Sequence, residues 1–320
     1  MIIVNYNAGE WLARCLASVA AQTVTDFECF IVDNNSEDGS FTSLPELDER
    51  FILLPQNENT GFAKGNNIAA RQANGEWLAL LNPDAFARPD WLQKIGETIS
   101  AYPKATMIGS TQYMALEPDL FDGLGDEYHA FGLAWRSGFN HPVTPVQDRE
   151  AFGPCGAGAV YHRDTYMRLG GFDENFFCYH EDVDLAFRMR LDGGYCVQSA
   201  GAKIDHISSG ISGRSSEFAV YHGTRNRIWT FMKNMPLPLL LCLGPAHIIT
   251  NFGVLIWSIF RPGRLGPTFR GMKDGFFNRP KPEHPTARMK ISKLKLLRSF
   301  GWSPLKVLKR ATVKTKTAER

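Results

Sequence analysis

The feature that most constrains this 320-residue chain is a regular alternation of short apolar runs with helix-spaced segments over its first 85 residues. Residues 2–4 form a short apolar strand. Residues 11–21 carry apolar side chains at 11, 12, 15, 16 and 19, which is helical spacing. A second strand over 29–32 ends at Asp33, and Asn34-Asn35-Ser36-Glu37-Asp38-Gly39-Ser40 is a turn-rich loop. A third strand (51–54), a helix (63–73) stopping near Asn74-Gly75, and a fourth strand (77–81) before Asn82-Pro83-Asp84 complete the pattern. Strands alternating with helices predict an α/β fold, with a mixed, mainly parallel sheet covered by helices on both faces. Ligands of such sheets collect at the carboxyl ends of the strands. Asn5, Asp33 and Asp84 all fall there by spacing alone. No G-x-G-x-x-G follows the first strand, which disfavours a dinucleotide oxidoreductase.

Further along, 89–101 reads as a helix and 117–150, rich in Gly, Pro, Asp and aromatic residues, as an irregular insertion. Small residues at 153–159 lead into a strand, and a helix over 163–169 follows. Glu181-Asp182-Val183-Asp184 opens another helix that stops at Gly193-Gly194. A weak strand over 201–204 precedes His206.

Charge divides the chain. Residues 261–320 hold 17 Lys/Arg against 3 Asp/Glu, while 1–260 hold 18 against 30. An acidic body with a basic tail excludes a generic nucleic-acid binder and points the tail toward anionic phospholipid. Residues 236–260 carry no charge, yet Pro238, Gly244, Pro245, His247, Asn251 and Gly253 interrupt the run. The expectation is a catalytic domain over 1–235 and a membrane-associating helical region over 236–320. That region is read as peripheral or re-entrant rather than as a single span. The six cysteines form no CxxC pair and read as buried thiols. The chain opens directly on a strand, so no signal peptide is expected, and that strand's short front end admits a start further upstream.

Two acidic groups carry the chemistry. Asp84 sits where a carboxylate can hold a divalent cation against a diphosphate, although a bare Asn-Pro-Asp turn is the simpler reading of those residues alone. Glu181, Asp182 and Asp184 lie beside Phe176, Phe177 and Tyr179. Acids in a first turn complement the helix dipole, but apolar walls beside them also suit a sugar pocket and a general base. His206 is a candidate metal ligand or diphosphate contact. Arg225 and Arg227 are candidate phosphate or acceptor contacts, or a solvated basic face.

Taken in order, these segments resemble the family 2 glycosyltransferases with the GT-A fold, and among them bacterial rhamnosyltransferase-like members. The resemblance rests on Ile2-Ile3-Val4-Asn5-Tyr6-Asn7, Ile31-Val32-Asp33-Asn34-Asn35-Ser36 and Asn59-Thr60-Gly61-Phe62-Ala63-Lys64-Gly65-Asn66-Asn67. It continues through Leu81-Asn82-Pro83-Asp84, Gly170-Gly171-Phe172-Asp173-Glu174 and Glu181-Asp182-Val183-Asp184-Leu185. It covers about the first 235 residues and implies an inverting transferase of a nucleotide-diphosphate sugar. Asp33 would then contact the nucleobase. Gly61, Lys64 and Asn67 would line the nucleotide pocket, bordered by Asn5, Asn34 and Asn82. Asp84 would be the one acid retained from a DxD-type motif and would bind Mg2+ or Mn2+, with His206 gaining importance. Asp182 would be the catalytic base supported by Glu181, with Asp184 and Tyr179 near the acceptor.

The expected reaction moves a hexosyl group, best rhamnosyl from dTDP-rhamnose, onto a lipid-linked or growing glycan at the cytoplasmic face of the bacterial inner membrane. The rivals are the same chemistry with a UDP- or GDP-hexose, and a non-catalytic nucleotide-binding membrane scaffold. A nucleotidyltransferase is disfavoured, because Asn5-Tyr6-Asn7-Ala8-Gly9-Glu10 offers no triphosphate cradle.

Overall fold

The computed structural model describes residues 1–208, 216–281 and 289–311. Three parallel strands, β1 (Ile2–Asn5), β2 (Cys29–Asp33) and β3 (Phe51–Pro55), pair in that order. The helices α1 (Glu10–Ala20) and α2 (Gly61–Gln72) alternate with them. The remaining strands are β4 (Trp77–Ala79), β5 (Ala85–Ala87), β6 (Met107–Met114), β7 (Phe121–Gly123), β8 (Asp126–Tyr128), β9 (Ala134–Arg136), β10 (Arg149–Ala151), β11 (Ala159–His162) and β12 (Cys196–His206). A parallel bridge between Ile2 and Leu80 links β1 to the next sheet, ordered β10-β12-β6-β11-β4. The fold is therefore a mixed sheet. Its parallel pairing lies in the first three strands and between β6 and β12, while β4, β5, β10 and β11 pair antiparallel.

Alternation along each strand sorts side chains to two faces. Ile3, Cys29 and Ile31 pack with Leu12, Leu16 and Val19 of α1 and with Trp91 and Ile95 of α3 (Trp91–Ala101). Ile2, Val4, Phe30 and Val32 face the opposite side. There they join Ala63 and Ala69 of α2, Tyr166 of α4 (Arg163–Arg168), and Leu185 and Phe187 of α5 (Glu181–Leu191).

The second half of the chain departs from the sequence reading in three places. The weak strand expected at 201–204 is an eleven-residue strand with an irregularity between Ser199 and Lys203. The insertion expected to be irregular carries β7, β8, β9 and β10. Downstream of β12, residues given no secondary structure from the sequence form α6 (Glu217–Asn234), followed by α7 (Leu237–Ile259) and α8 (Leu265–Phe277). By length and composition, α7 is apolar enough to cross a membrane. It is one continuous helix with Pro245 inside it, and exposes Leu241, Ile248, Ile249, Phe252 and Ile256.

Two short helices, α9 (Lys293–Arg298) and α10 (Pro304–Leu308), complete the described chain. Leu296 and Phe300 are buried in the same core cluster as Tyr128, Phe152 and Phe187. Packing therefore crosses residue 235: the chain leaves this core through α7 and returns to it at Leu296 and Phe300.

Candidate active site

Register explains why distant residues meet. Asn5 pairs with Asp33 across β1 and β2, and Asp33 with Pro55 across β2 and β3, so these carboxyl ends are level. Asn5 Nδ2 donates to Asp33 Oδ1 at 2.7 Å and to Ser36 Oγ and Ser40 Oγ at 3.0 Å each. Asp33 also accepts from the Ser36 amide and hydroxyl at 3.0 and 2.7 Å, which ties down the turn after β2. Asn34 accepts from the Thr60 hydroxyl at 2.8 Å and donates to the Gly61 carbonyl at 3.2 Å, fixing the start of α2. Gly61 has φ of 81°, and a Cβ there would lie 2.6 Å from the Phe177 ring, so only glycine lets α2 start this close to the 176–179 loop. Lys64, half-buried, projects from the next turn of α2.

Asn67 takes a different place from the one expected. It is buried and donates to the Phe172 carbonyl at 2.8 Å and to Glu174 at 3.1 Å. Its oxygen accepts from the Tyr166 hydroxyl at 2.7 Å and the Phe172 amide at 3.0 Å. Its hydrogen-bonding capacity is spent on clamping α2 to the Gly171 turn, so it is a framework residue rather than a nucleotide contact.

The antiparallel pairing of β5 with β12 sets His206 opposite Ala85, beside Asp84. His206 Nε2 lies 3.2 Å from Asp84 Oδ1 and Nδ1 lies 2.8 Å from Asp122 Oδ2. Arg136 donates to the same Asp122 oxygen at 2.5 Å. Burial depresses the imidazole's proton affinity, but the hydrogen bonds it donates to both carboxylates outweigh that and raise His206 to about 8. Burial likewise opposes ionisation of Asp122, yet Arg136 and His206 hold that carboxyl well below the usual range. A chain of alternating charge thus runs Asp84–His206–Asp122–Arg136.

That chain ends at a cleft of about 390 Å3, bordered by Arg136, Asn82, Asp126, Tyr179, Glu181 and Asp182 among others. Asp84 is buried and does not itself line it, whereas Asn82, two residues earlier, does. Asp182, half-buried at the start of α5, accepts from the Gly156 amide at 2.9 Å. A Cβ at Gly156 would come within 3.2 Å of the same carboxylate, so the small residue permits this bond. Ligand atoms of Asp126, Cys155 and Asp182 lie within 4.8 Å of one another. Glu181 is buried, and its Oε2 has no hydrogen-bond partner among the described residues. Burial raises the pKa of all three carboxyls, and for Glu181 and Asp126 repulsion from Asp182 raises it further. The group therefore holds protons that ordinary carboxylates release.

Three other expected contacts lie elsewhere. Asp184 is fully buried and bonded to Arg188, Lys233 and Asn234. Arg225 donates to the Asn175 and Phe176 carbonyls and stacks 4.2 Å from the Trp229 ring centroid. Arg227 bonds Asn251 of α7. All three are structural ties: Asp184 joins α5 to α6, Arg225 joins α6 to the 175–176 segment, and Arg227 joins α6 to α7. Tyr179 does border the cleft. Sequence reading passed over Asp122, Asp126, Trp135, Arg136 and Cys155. The only hint was the density of Asp and aromatic residues between glycines in the insertion.

A family profile described as glycosyl transferase family 2 matches residues 1–170. The chain belongs to glycosyl transferase family 2. The glycosyltransferase is 25% identical over 252 residues to N-acetylglucosaminyl-diphospho-decaprenol L-rhamnosyltransferase of Mycobacterium tuberculosis, spanning 69% of this chain and 80% of that protein. It is 29% identical over 227 residues to the O-antigen biosynthesis protein RfbC of Myxococcus xanthus, covering 65% of this chain but only 17% of the relative's length. Among solved structures, the mannosyltransferase PcManGT from Pyrobaculum calidifontis, in complex with GDP-Man and Mn2+, superposes with a TM-score of 0.56 at 16% identity, covering 87% of each chain. GalNAc-T7 with UDP, GalNAc and Mn2+ superposes at 0.59 and 16% identity, covering 72% of this chain and 47% of that one. These neighbours share the GT-A fold. The glycosyltransferase thus carries its charged relay and its acid-lined cleft on a known scaffold.

Proposed function

We propose that this enzyme inverts a hexosyl group, best rhamnosyl from dTDP-rhamnose, as it moves from a nucleotide diphosphate to a lipid-linked or growing glycan, with Asp182 as general base. One observation carries the reading: the Asp182 carboxylate, held by the Gly156 amide, borders an open cleft with Asn82 on its wall. In the mechanism, the acceptor hydroxyl enters beside Asp182 and passes its proton to that carboxylate as it attacks the anomeric carbon. The bond from that carbon to the diphosphate breaks on the opposite face, and the charge stays on the departing nucleotide. Burial raises the pKa of Asp182, so it binds a proton more readily than an exposed aspartate does. Asp33, Asn34 and Gly61 would hold the nucleoside at the strand ends, with Lys64 on the nearby turn.

Asp84 and His206 would fit a divalent cation by chemistry once the ion displaces the imidazole's proton: one hard carboxylate and one neutral imidazole, with Asn82 Oδ1, unpartnered among the described residues, close by in sequence. Bound there, Mg2+ or Mn2+ would neutralise charge on the leaving diphosphate. Asp122 would hold the imidazole in register for that contact. The Asp126–Cys155–Asp182 group suits a proton better than an ion. Burial pushes the Cys155 thiol up to about 12, so it keeps its hydrogen and makes a poor partner for a hard cation.

The membrane reading follows from α7. Its middle is docked on the head: His247 Nδ1 lies 2.8 Å from the Phe131 carbonyl, and Asn251 accepts from Arg227. A helix fastened at its midpoint to the catalytic head, with its other sides apolar and exposed, suits burial in the plane of the cytoplasmic leaflet. The basic tail would meet anionic headgroups there.

The purified full-length protein, incubated with dTDP-, UDP- and GDP-sugars with and without Mn2+, tests this reading. The largest thermal stabilisation is expected from dTDP-rhamnose with Mn2+, and Asp84→Ala should remove the Mn2+-dependent part. Stabilisation by no nucleotide sugar would sink the transferase mechanism. Preference for a UDP- or GDP-hexose would change only the donor, and binding without transfer to any acceptor would favour a scaffold.

A further inference from the structure

After the apolar helix, the chain returns to the catalytic cleft as a fastened strap. The Phe300 ring packs 5.6, 6.1 and 5.7 Å from those of Tyr128, Phe152 and Phe187. The Gly301 amide donates to the Tyr128 carbonyl at 2.7 Å, and the Ala130 amide donates to the Gly301 carbonyl at 3.0 Å. Ten residues later the strap is tied again. The Gly138 amide donates to the Arg310 carbonyl at 2.8 Å, and the Trp135 indole donates to the Ala311 carbonyl at 3.1 Å. Between the two ties, α10 exposes Leu305 and Leu308, and Trp302 just before it is also exposed.

Arg310 borders the same cleft as Asp182. Among the described residues its guanidinium enters no ion pair. It lies 5.0 Å from the Phe139 ring centroid, whereas the other cleft guanidinium, Arg136, is committed to Asp122. The backbone of Arg310 is also in the left-handed region, at φ of 47°, where glycine is relaxed and arginine is strained. A strained cation with no ion-pair partner among the described residues, tied at the edge of a cleft beside exposed apolar side chains, has the chemistry of a receptor for an amphiphilic anion. The donor diphosphate is assigned to the Asp84–His206 end, so this cation is left to the acceptor.

We propose that Arg310 binds the phosphate of a lipid-phosphate or lipid-diphosphate acceptor whose hydrocarbon chain lies on Trp302, Leu305 and Leu308. The proposal rests on the reading that the acceptor is lipid-linked. It makes the strap after the apolar helix part of the substrate site. The bilayer would then present the acceptor along α10, with its phosphate stopped at Arg310 and its sugar extending toward Asp182.

The test uses the full chain in dodecyl maltoside micelles with Mn2+ and saturating nucleoside diphosphate, so that the donor end is filled. Binding of decyl diphosphate, inorganic pyrophosphate and the neutral decyl maltoside is measured by calorimetry. Decyl diphosphate is expected to bind at least tenfold more tightly than pyrophosphate. Arg310→Gly, which relaxes the backbone and should keep or raise Tm, is expected to weaken decyl diphosphate at least tenfold, and Arg310→Lys to weaken it less. Decyl maltoside and nucleoside diphosphate should be indifferent to either change. Equal decyl diphosphate binding by wild type and Arg310→Gly would overturn the assignment, and so would a parallel loss of the neutral ligand. Equal affinity for pyrophosphate and decyl diphosphate would overturn the lipid part. Failure of nucleoside diphosphate to bind the wild-type protein would count against the donor reading alone.

Discussion

Asp182 and Asp184 stand two residues apart on α5, yet one borders the cleft among other acids and the other sits inside a cage of cations. Asp184 accepts from Arg188 at 2.8 Å, Lys233 at 3.0 Å and Asn234 at 2.7 Å, and Lys233 reaches on to Asp173 at 2.6 Å. Burial alone would raise its pKa, but Lys233 and Arg188 overcome that and hold Asp184 at about 2. Around Asp182 the balance reverses. Glu181 and Asp126 sit beside it, burial is not repaid by a paired cation, and the pKa values rise. The comparison teaches that a run of acids at a helix start has no common role. The helix dipole acts on all of them, whereas Lys233 of α6 and Arg188 of α5 itself pair with only one.

Three substitutions press on this contrast. The largest effect is expected from Asp182→Asn, with turnover falling about 10²–10⁴-fold, the range of a lost general base. Nucleotide binding and Tm should hold, and an enzyme that still turns over would erase the catalytic side of the comparison. Next is Asp184→Ala, which strands Lys233 and Arg188 in the interior. A loss of about 3–5 kcal/mol is expected from denaturant unfolding, as for other broken buried pairs. A change within about 1 kcal/mol would mean that the cage does not hold the fold, since ordinary surface substitutions move stability by less than that.

The smallest effect, and opposite in sign, is expected from Glu181→Gln. The folded-state pKa of Glu181 lies above its unfolded value, so the native state is penalised increasingly as pH rises from the unfolded pKa through the folded one. Removing the charge should therefore stabilise by about 1–3 kcal/mol at pH 8, the scale of an unsatisfied buried group. The gain should shrink as pH falls. Melting curves from pH 5 to 8 would check this, and a stabilisation that grew toward acid would show that Glu181 is not the strained member.

Much of the scaffold was legible because its signals are local. Apolar runs over 2–4, 29–32 and 51–54 and helical spacing over 11–21 need no distant partner, and these elements appear where periodicity puts them. Asn5 and Asp33 could be placed together because parallel strands of one βαβ unit end at one edge. The second half was less legible. β12 pairs with β5, β6 and β10, all far earlier in the chain, and the insertion's strands are only three residues long, so neither the full length of β12 nor the strands of the insertion left a local trace. Asp122, Asp126 and Arg136 reached the site for that reason alone.

The sequence by itself determined the acidic head and basic tail, the α/β periodicity and the short list of acids that could act, because composition and spacing are properties of the chain. Which acid is caged and which is bare, and the return of the tail to the cleft, were decided only by tertiary structure. Desolvation and ion pairing depend on what lies within a few ångströms, and at Asp184 the deciding neighbours, Lys233 and Asn234, are 49 and 50 residues further along the chain.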